Sequence, residues 1–402
     1  MSIDIKSMKD TIRREDYLRT LHSFSRRTDV VKIITGMRRC GKSTLMRQFR
    51  EDLLSEGISE DHIFYMNFET FEGRGYWSRD ALEAKLRGLP TDGPVYVLLD
   101  EIQDVEGWEL TVASLEAVDN IDVYLTGSNS RMLSSDLSTH ISGRYIEVKM
   151  LPLSFSEFMK LHPGDTDIGF SQYLKTGGLP AADPNMREEY YRGYLDSVFN
   201  TVLVKDVLER LKIDSVSGIK SIARFLYSNI GDVTNISTIS SGTGMSNKTV
   251  EKYVEALQSA LLFYHAERYD IVGKKLLKTN GKFYASDLGM RNMALMGSGT
   301  PDISRPVENV VYLELIRRGY VVRVCSYRDR EVDFAAIKDD EVEYYQVTQT
   351  MMAEDTRERE FGSLRLIKDN FPKTILTLDR LGLGTYEGIR VVNLCDWLLS
   401  RD

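Results

Sequence analysis

The sequence predicts an α/β chain: an N-terminal domain built on a parallel sheet, a helical lid, and two smaller C-terminal modules. Three observations predict it. Two near-continuous apolar runs, at 30–34 and 95–99, suit strands buried on both faces, the pattern of a parallel sheet. Further short runs at 63–66, 123–125 and 146–148 alternate with helical segments, which gives βα units and about five strands. At 402 residues the chain exceeds one ordinary core and should divide into two to four domains.

Composition narrows the class further. Hydrophobic residues make up 42% and charged residues 28%, which is globular and not disordered. The formal charge of -8 argues against polyanion binding over the whole surface. Residues 1–50, however, hold thirteen Lys/Arg against five Asp/Glu, so a positive field surrounds whatever they build. Cys40, Cys325 and Cys395 lie far apart with no CxxC pair, which excludes a disulfide framework and a cysteine-rich zinc site. The charged start lacks a signal peptide's apolar core, and no apolar run approaches the roughly 20 residues that cross a bilayer. These features read as a soluble cytoplasmic protein with no membrane partner.

In chain order, residues 11–28 read as an amphipathic helix, with Ile12, Tyr17, Leu18, Leu21 and Phe24 at helical spacing. The first strand follows, then a helix over 44–53. The parallel-sheet domain spans 1–152. Residues 153–212 form the helical lid, broken at Gly177-Gly178-Leu179-Pro180, with a long helix from about 186 to 211. Residues 213–289 give three short helices and a hairpin turning at Asn280-Gly281; Ser246 is a good N-cap for the last helix. From Pro306 the order is helix, three strands, helix, strand, which makes 290–402 a small α/β module.

The chemistry concentrates in the first domain. Gly36-Met37-Arg38-Arg39-Cys40-Gly41-Lys42-Ser43 fits G-x-x-x-x-G-K-[ST], with an apolar strand before it and a helix, opened by Thr44, after it. Glycines let backbone N–H groups curl around phosphate oxygens, and the helix N-terminus adds partial positive charge. Lys42 then bridges β- and γ-phosphates, and the Ser43 hydroxyl ligates Mg²⁺. Leu98-Leu99-Asp100-Glu101 ends the second buried strand, which can neighbour the first. Asp100 would hold Mg²⁺ and Glu101 would polarise the attacking water. The strand at 123–125 runs into Thr126-Gly127-Ser128-Asn129. Ser128, with Asn129 as its rival, is a candidate sensor of the γ-phosphate, although an ordinary strand-end turn gives the same string. Arg144 could neutralise charge on the phosphoryl group of a neighbouring subunit, or it could be a surface arginine.

GMRRCGKST, LLDEIQDVEGWE, LTGSNSRML, ISGRYIEVKMLPLSFSEF and TGGLP resemble a prokaryotic family of AAA-type P-loop ATPases with a C-terminal domain of unknown function. The resemblance runs along most of the chain and is specific in the first 180 residues. It implies ATP as the nucleotide, Asp100 and Glu101 in the Walker B roles, and Arg144 as an arginine finger shared in a homo-oligomer.

The rest of the chain offers partner surfaces. Residues 213–289 look like a winged helix. Asn247, Lys248 and Lys252 could face DNA, but Glu251 and Glu255 share that helix, so packing or protein contact competes. Residues 290–402 resemble the PD-(D/E)xK restriction-nuclease fold, with Glu308 on a helix and Asp333 on a strand. Gln346 stands where a second carboxylate belongs and Thr348 where a lysine belongs, so the module is expected to be inactive. The charged run 355–360 reads as a solvated helix face.

Overall fold

The computed structural model describes residues 11–128, 132, 139–141, 143–208, 216–270, 275–296, 303–327 and 330–400. The chain divides into two compact units, 1–150 and 151–402.

The first unit opens with α1 (Glu15–Ser23), shorter than the helix expected over 11–28: Arg14 is its N-cap and Phe24 its C-cap. Then follow β1 (Val31–Thr35), α2 (Lys42–Ser55), β2 (Ile63–Asn67), α3 (Arg79–Leu86), β3 (Val95–Asp100), α4 (Trp108–Glu116), β4 (Ile121–Gly127) and β5 (Tyr145–Lys149). The five strands form one all-parallel sheet in the order β2-β3-β4-β1-β5. Every residue of β1, β3 and β4 is buried, as near-continuous apolar runs require when helices cover both faces, and two charges within them, Lys32 and Asp122, pair with each other. One core face gathers Ile33, Val97, Leu99, Val112, Val123 and Leu125. The register corrects one expectation. β3 does not pair with β1; β4 lies between them.

The second unit begins with α5 (Phe155–Leu161), α6 (Thr166–Thr176) and α7 (Glu188–Thr201). A π-helical stretch, Val202–Leu208, takes over where a single helix to 211 was expected. Then come α8 (Val216–Ser228), β6 (Val233–Thr234), α9 (Ile236–Thr243), α10 (Asn247–Ser259), β7 (Phe263–Asp270), β8 (Lys275–Ala285) and α11 (Leu288–Ala294). Ser246 caps α10 as its sequence position predicts, its side chain accepting from Thr249 N. The chain ends with α12 (Ser304–Arg317), β9 (Val321–Tyr327), β10 (Arg330–Lys338), β11 (Glu341–Thr348), α13 (Glu354–Arg365), β12 (Lys373–Thr377), β13 (Gly384–Tyr386), β14 (Ile389–Asn393) and α14 (Leu394–Leu399).

Nine strands form one sheet, β13-β14-β12-β11-β10-β9-β7-β8-β6, so the β7–β9 pairing runs across the boundary placed at 289. Asn280-Gly281 is not the turn expected from the sequence, since both residues belong to β8. Gly281 lies inside β8 beside a register shift in β7, where a Cβ would meet the Ala266 carbonyl at 2.5 Å. Glycine here marks a close backbone approach at a bulge instead of a turn. Along α13, Glu360 is buried, so 355–360 is not wholly a solvated face.

Candidate active site

Parallel strands deliver their carboxyl ends to one edge, where ligands of open α/β sheets bind. At the end of β1, Gly36 lies so close to β5 that a Cβ would come 2.4 Å from the Met150 carbonyl and 2.8 Å from Cys40 Sγ. Gly41 has φ 111° and Arg39 φ 68°, so the loop coils through the left-handed region before α2 starts at Lys42. Such a coil turns successive backbone amides toward one concavity, an anion cradle at a helix N-terminus. Arg39 is exposed, and the Cys40 thiol is buried against Gly36, so the loop residues contribute chiefly through their backbone. Arg38 is buried and donates to Glu69 Oε1 at 2.7 Å. The Thr44 hydroxyl accepts from Arg47.

Lys42, Ser43, Asp100 and Glu101 meet at this edge. Lys42 Nζ donates to the carbonyls of Gly36 (2.9 Å) and Met37 (3.3 Å) and pairs with Glu101 Oε1 at 3.1 Å. Ser43 Oγ donates to Asp100 Oδ1 at 3.1 Å, which brings the two expected Mg²⁺ ligands together. The other donors to Asp100 are Thr126 Oγ1 (2.6 Å), Tyr65 OH (3.0 Å) and Asn67 Nδ2. All four are neutral, so among the described residues no cation hydrogen-bonds to this buried carboxylate, although the Lys42 ammonium interacts with it through charge. Burial, then the neighbouring Glu101 charge, pushes the Asp100 carboxyl above its ordinary range. A divalent cation would reverse that shift, so these residues fit the metal that the motif implies.

Glu101 behaves oppositely. Burial alone would raise it, but the Lys42 ammonium, the Gln103 amide and the Arg38 guanidinium hold it below the usual range. Its backbone is left-handed, φ 58°, an uncommon conformation for a side-chain-bearing residue that concentrates at functional sites.

Ser128 follows β4 at this same edge and is buried; Asn129 lies outside the described residues. Arg144 is elsewhere. It precedes β5, whose Tyr145 is level with Val31, so it stands at the amino end of the sheet. Five strand residues separate that level from the phosphate loop, roughly 17 Å at ~3.3 Å per residue. Its guanidinium pairs with Glu116 at 3.0 Å.

Thr126, Tyr65, Asn67 and Gln103 belong to the site and went unread in the sequence. Thr126 is the most telling. Its hydroxyl donates to Asp100 and accepts from Glu101 N at 2.8 Å, so the strand between β1 and β3 ties both acidic residues. Only the strand order, which places β4 there, could have singled it out.

The second unit holds another polar cluster. Lys282, on β8, pairs with Glu308 Oε1 at 3.1 Å and with Glu331, while Tyr284 OH donates to Glu308 at 2.7 Å. Asp333 Oδ2 accepts from Val347 N at 2.8 Å, and its own N donates to Gln346 Oε1 at 3.3 Å. Burial, then Glu308, raises Asp333 well above its ordinary value. Thr348 donates to the Thr350 carbonyl and is not among these contacts. Among the described residues, no group of three or more His, Cys, Asp or Glu side chains could hold a metal ion.

The model of an AAA domain matches residues 28–159, and that of a domain of unknown function matches 168–301. An uncharacterized protein of Haemophilus influenzae is 39% identical over 409 residues, covering 98% of this chain and 100% of the relative. The chain belongs to this family of AAA-domain proteins. An uncharacterized protein of Methanocaldococcus jannaschii is 29% identical, covering 91% of this AAA protein and 85% of the relative. A Walker-type ATPase of Pyrococcus abyssi shares the fold at TM-score 0.51 and 16% identity, covering 72% of this AAA protein and 97% of that chain. Among the described residues, no helix of the AAA protein is long and apolar enough to cross a membrane.

Proposed function

We propose that the first unit binds ATP with Mg²⁺ and hydrolyses it to ADP and phosphate. One observation carries this reading: a lysine, a hydroxyl and two differently tuned carboxylates converge at the mouth of a coiled, glycine-bounded loop. Backbone amides of 36–41 and Lys42 hold the triphosphate; Ser43 and Asp100 hold the cation; Glu101 orients and polarises water. Mg²⁺ would supply charge neutralisation on the phosphate oxygens. ATP, rather than another nucleotide, follows from the AAA family.

Steady-state phosphate release with Mg²⁺ and ATP tests the reading. Lys42→Ala is expected to abolish turnover and weaken ATP binding. Glu101→Gln should retain binding and lower kcat by about 10²–10⁴-fold. Turnover indifferent to both changes would overturn the assignment.

Arg144 acts, in this reading, on the nucleotide of a second copy of the chain, because its place at the amino end of the sheet keeps it from its own. Ser128 serves as the sensor. The protein works in the cytoplasm, and its second unit, with winged-helix-like and nuclease-like parts, receives the nucleotide signal and contacts a protein or DNA partner.

The DNA-binding alternative is the weaker one. Lys248 and Lys252 are exposed on α10, but Glu251 and Glu255 are exposed beside them, leaving little net charge for phosphates. Cutting by the second unit is weaker still. Lys282 places an ammonium between Glu308 and Glu331, where a nuclease would hold a cation.

A further inference from the structure

Glu101 must stay aimed when the phosphates draw the Lys42 ammonium toward themselves. Among the described residues, its carboxylate has two hydrogen-bonding or ion-pairing partners: Lys42 on Oε1, and Gln103, whose Nε2 donates to Oε2 at 2.6 Å. Of the four side chains that donate to Asp100, Thr126 also accepts from the Glu101 backbone amide, and none has a hydrogen bond to the Glu101 carboxylate among the described residues. Once Lys42 turns to the phosphates, Gln103 remains as the hydrogen-bonding partner, while the Arg38 guanidinium acts on Glu101 through its charge.

The Gln103 amide is built to stay in that orientation. It rides on a short 3₁₀ turn, Ile102–Asp104, pinned by the buried side chains of Ile102 and Val105. Its Oε1 faces the end of β4, where Gly127 leaves the room: a Cβ there would come 3.0 Å from Oε1 and 2.2 Å from Met132 Cγ. Among the described residues that buried Oε1 has no hydrogen-bond partner. Turning the amide over would set its oxygen against the Glu101 carboxylate, so the carboxylate fixes which end faces it. An orphaned buried carbonyl is costly and calls for a reason. The reason here is the charge-assisted bond at the other end of the same amide.

We infer that Gln103 is the positioning residue that holds the Glu101 carboxylate in place during hydrolysis. This rests on the ATPase reading of the site. Gln103 acts through Glu101, whose carboxylate it holds. Losing it therefore costs turnover and leaves nucleotide binding, which belongs to the loop and Lys42, intact.

The test compares the full-length chain with Gln103→Met, which keeps length and loses the donor, and Gln103→Glu, which keeps the planar head and turns repulsive. Both should lower kcat about tenfold to a hundredfold, with KM for ATP and affinity for a non-hydrolysable ATP analogue within about twofold of wild type. Melting curves accompany the kinetics. Melting lowered by more than roughly 10 °C in both variants would assign Gln103 to packing and overturn the inference. If wild type hydrolyses ATP and Lys42→Ala does not, while both Gln103 variants keep kcat within about twofold, the Gln103 role falls and the ATPase reading stands. If wild type releases no phosphate, both fall together.

Discussion

At the residue scale, the site turns on how each carboxylate is solvated after burial. Asp100 is met by four neutral donors and Glu101 by an ammonium and an amide, so adjacent residues are driven in opposite directions. Thr126 joins them. Thr126→Val keeps the shape but strips a donor from Asp100 and leaves Glu101 N without its acceptor. We expect a loss of about 1–3 kcal/mol in stability, read by chemical denaturation, together with lower kcat. Gly36→Ala belongs to the same scale. Its methyl would strike a backbone carbonyl, so ATP affinity measured by calorimetry should fall sharply. The motif letters and the Asp-Glu pair were legible because their chemistry is local. Thr126, Tyr65 and Asn67 were not, since each reaches the site only because another strand end lies beside it.

At the element scale, period and length carried most of the information. The continuous apolar runs became fully buried parallel strands, and Ser246 became a cap. Elements went astray where a residue had two uses. Asn280-Gly281 is a turn signal in isolation, yet Gly281 serves a close strand approach. Gly281→Val is therefore expected to destabilise the second unit by about 1–3 kcal/mol, seen as a lower urea midpoint. β8 also carries Lys282 between Glu308 and Glu331. Lys282→Met would leave those acids without their cation, at a cost of about 3–5 kcal/mol in the same measurement. Added divalent metal should give wild type no DNA- or RNA-cutting activity, which a gel assay checks.

At the scale of the whole molecule, the question is how many chains make one working site. Arg144 stands at the sheet's amino end, remote from its own phosphate loop. If it serves a second copy, Arg144→Ala and Lys42→Ala proteins, each inactive alone, should recover part of wild-type turnover on mixing. Phosphate release across mixing ratios measures it, and no recovery at any ratio would confine Arg144 to its ion pair with Glu116. Chelating Mg²⁺ with EDTA should stop hydrolysis, and adding the metal back should restore it.

The sequence by itself determined the phosphate loop, the acidic pair at a buried strand's end, the parallel sheet and the family, because these follow from short-range spacing and the burial of contiguous apolar runs. Tertiary structure alone decided that β4 separates β1 from β3, that Thr126 donates to Asp100 and accepts from the Glu101 amide, and that Lys282 joins Glu308 and Glu331. These are pairings between distant segments, set by strand order and register, which no local pattern of residues encodes.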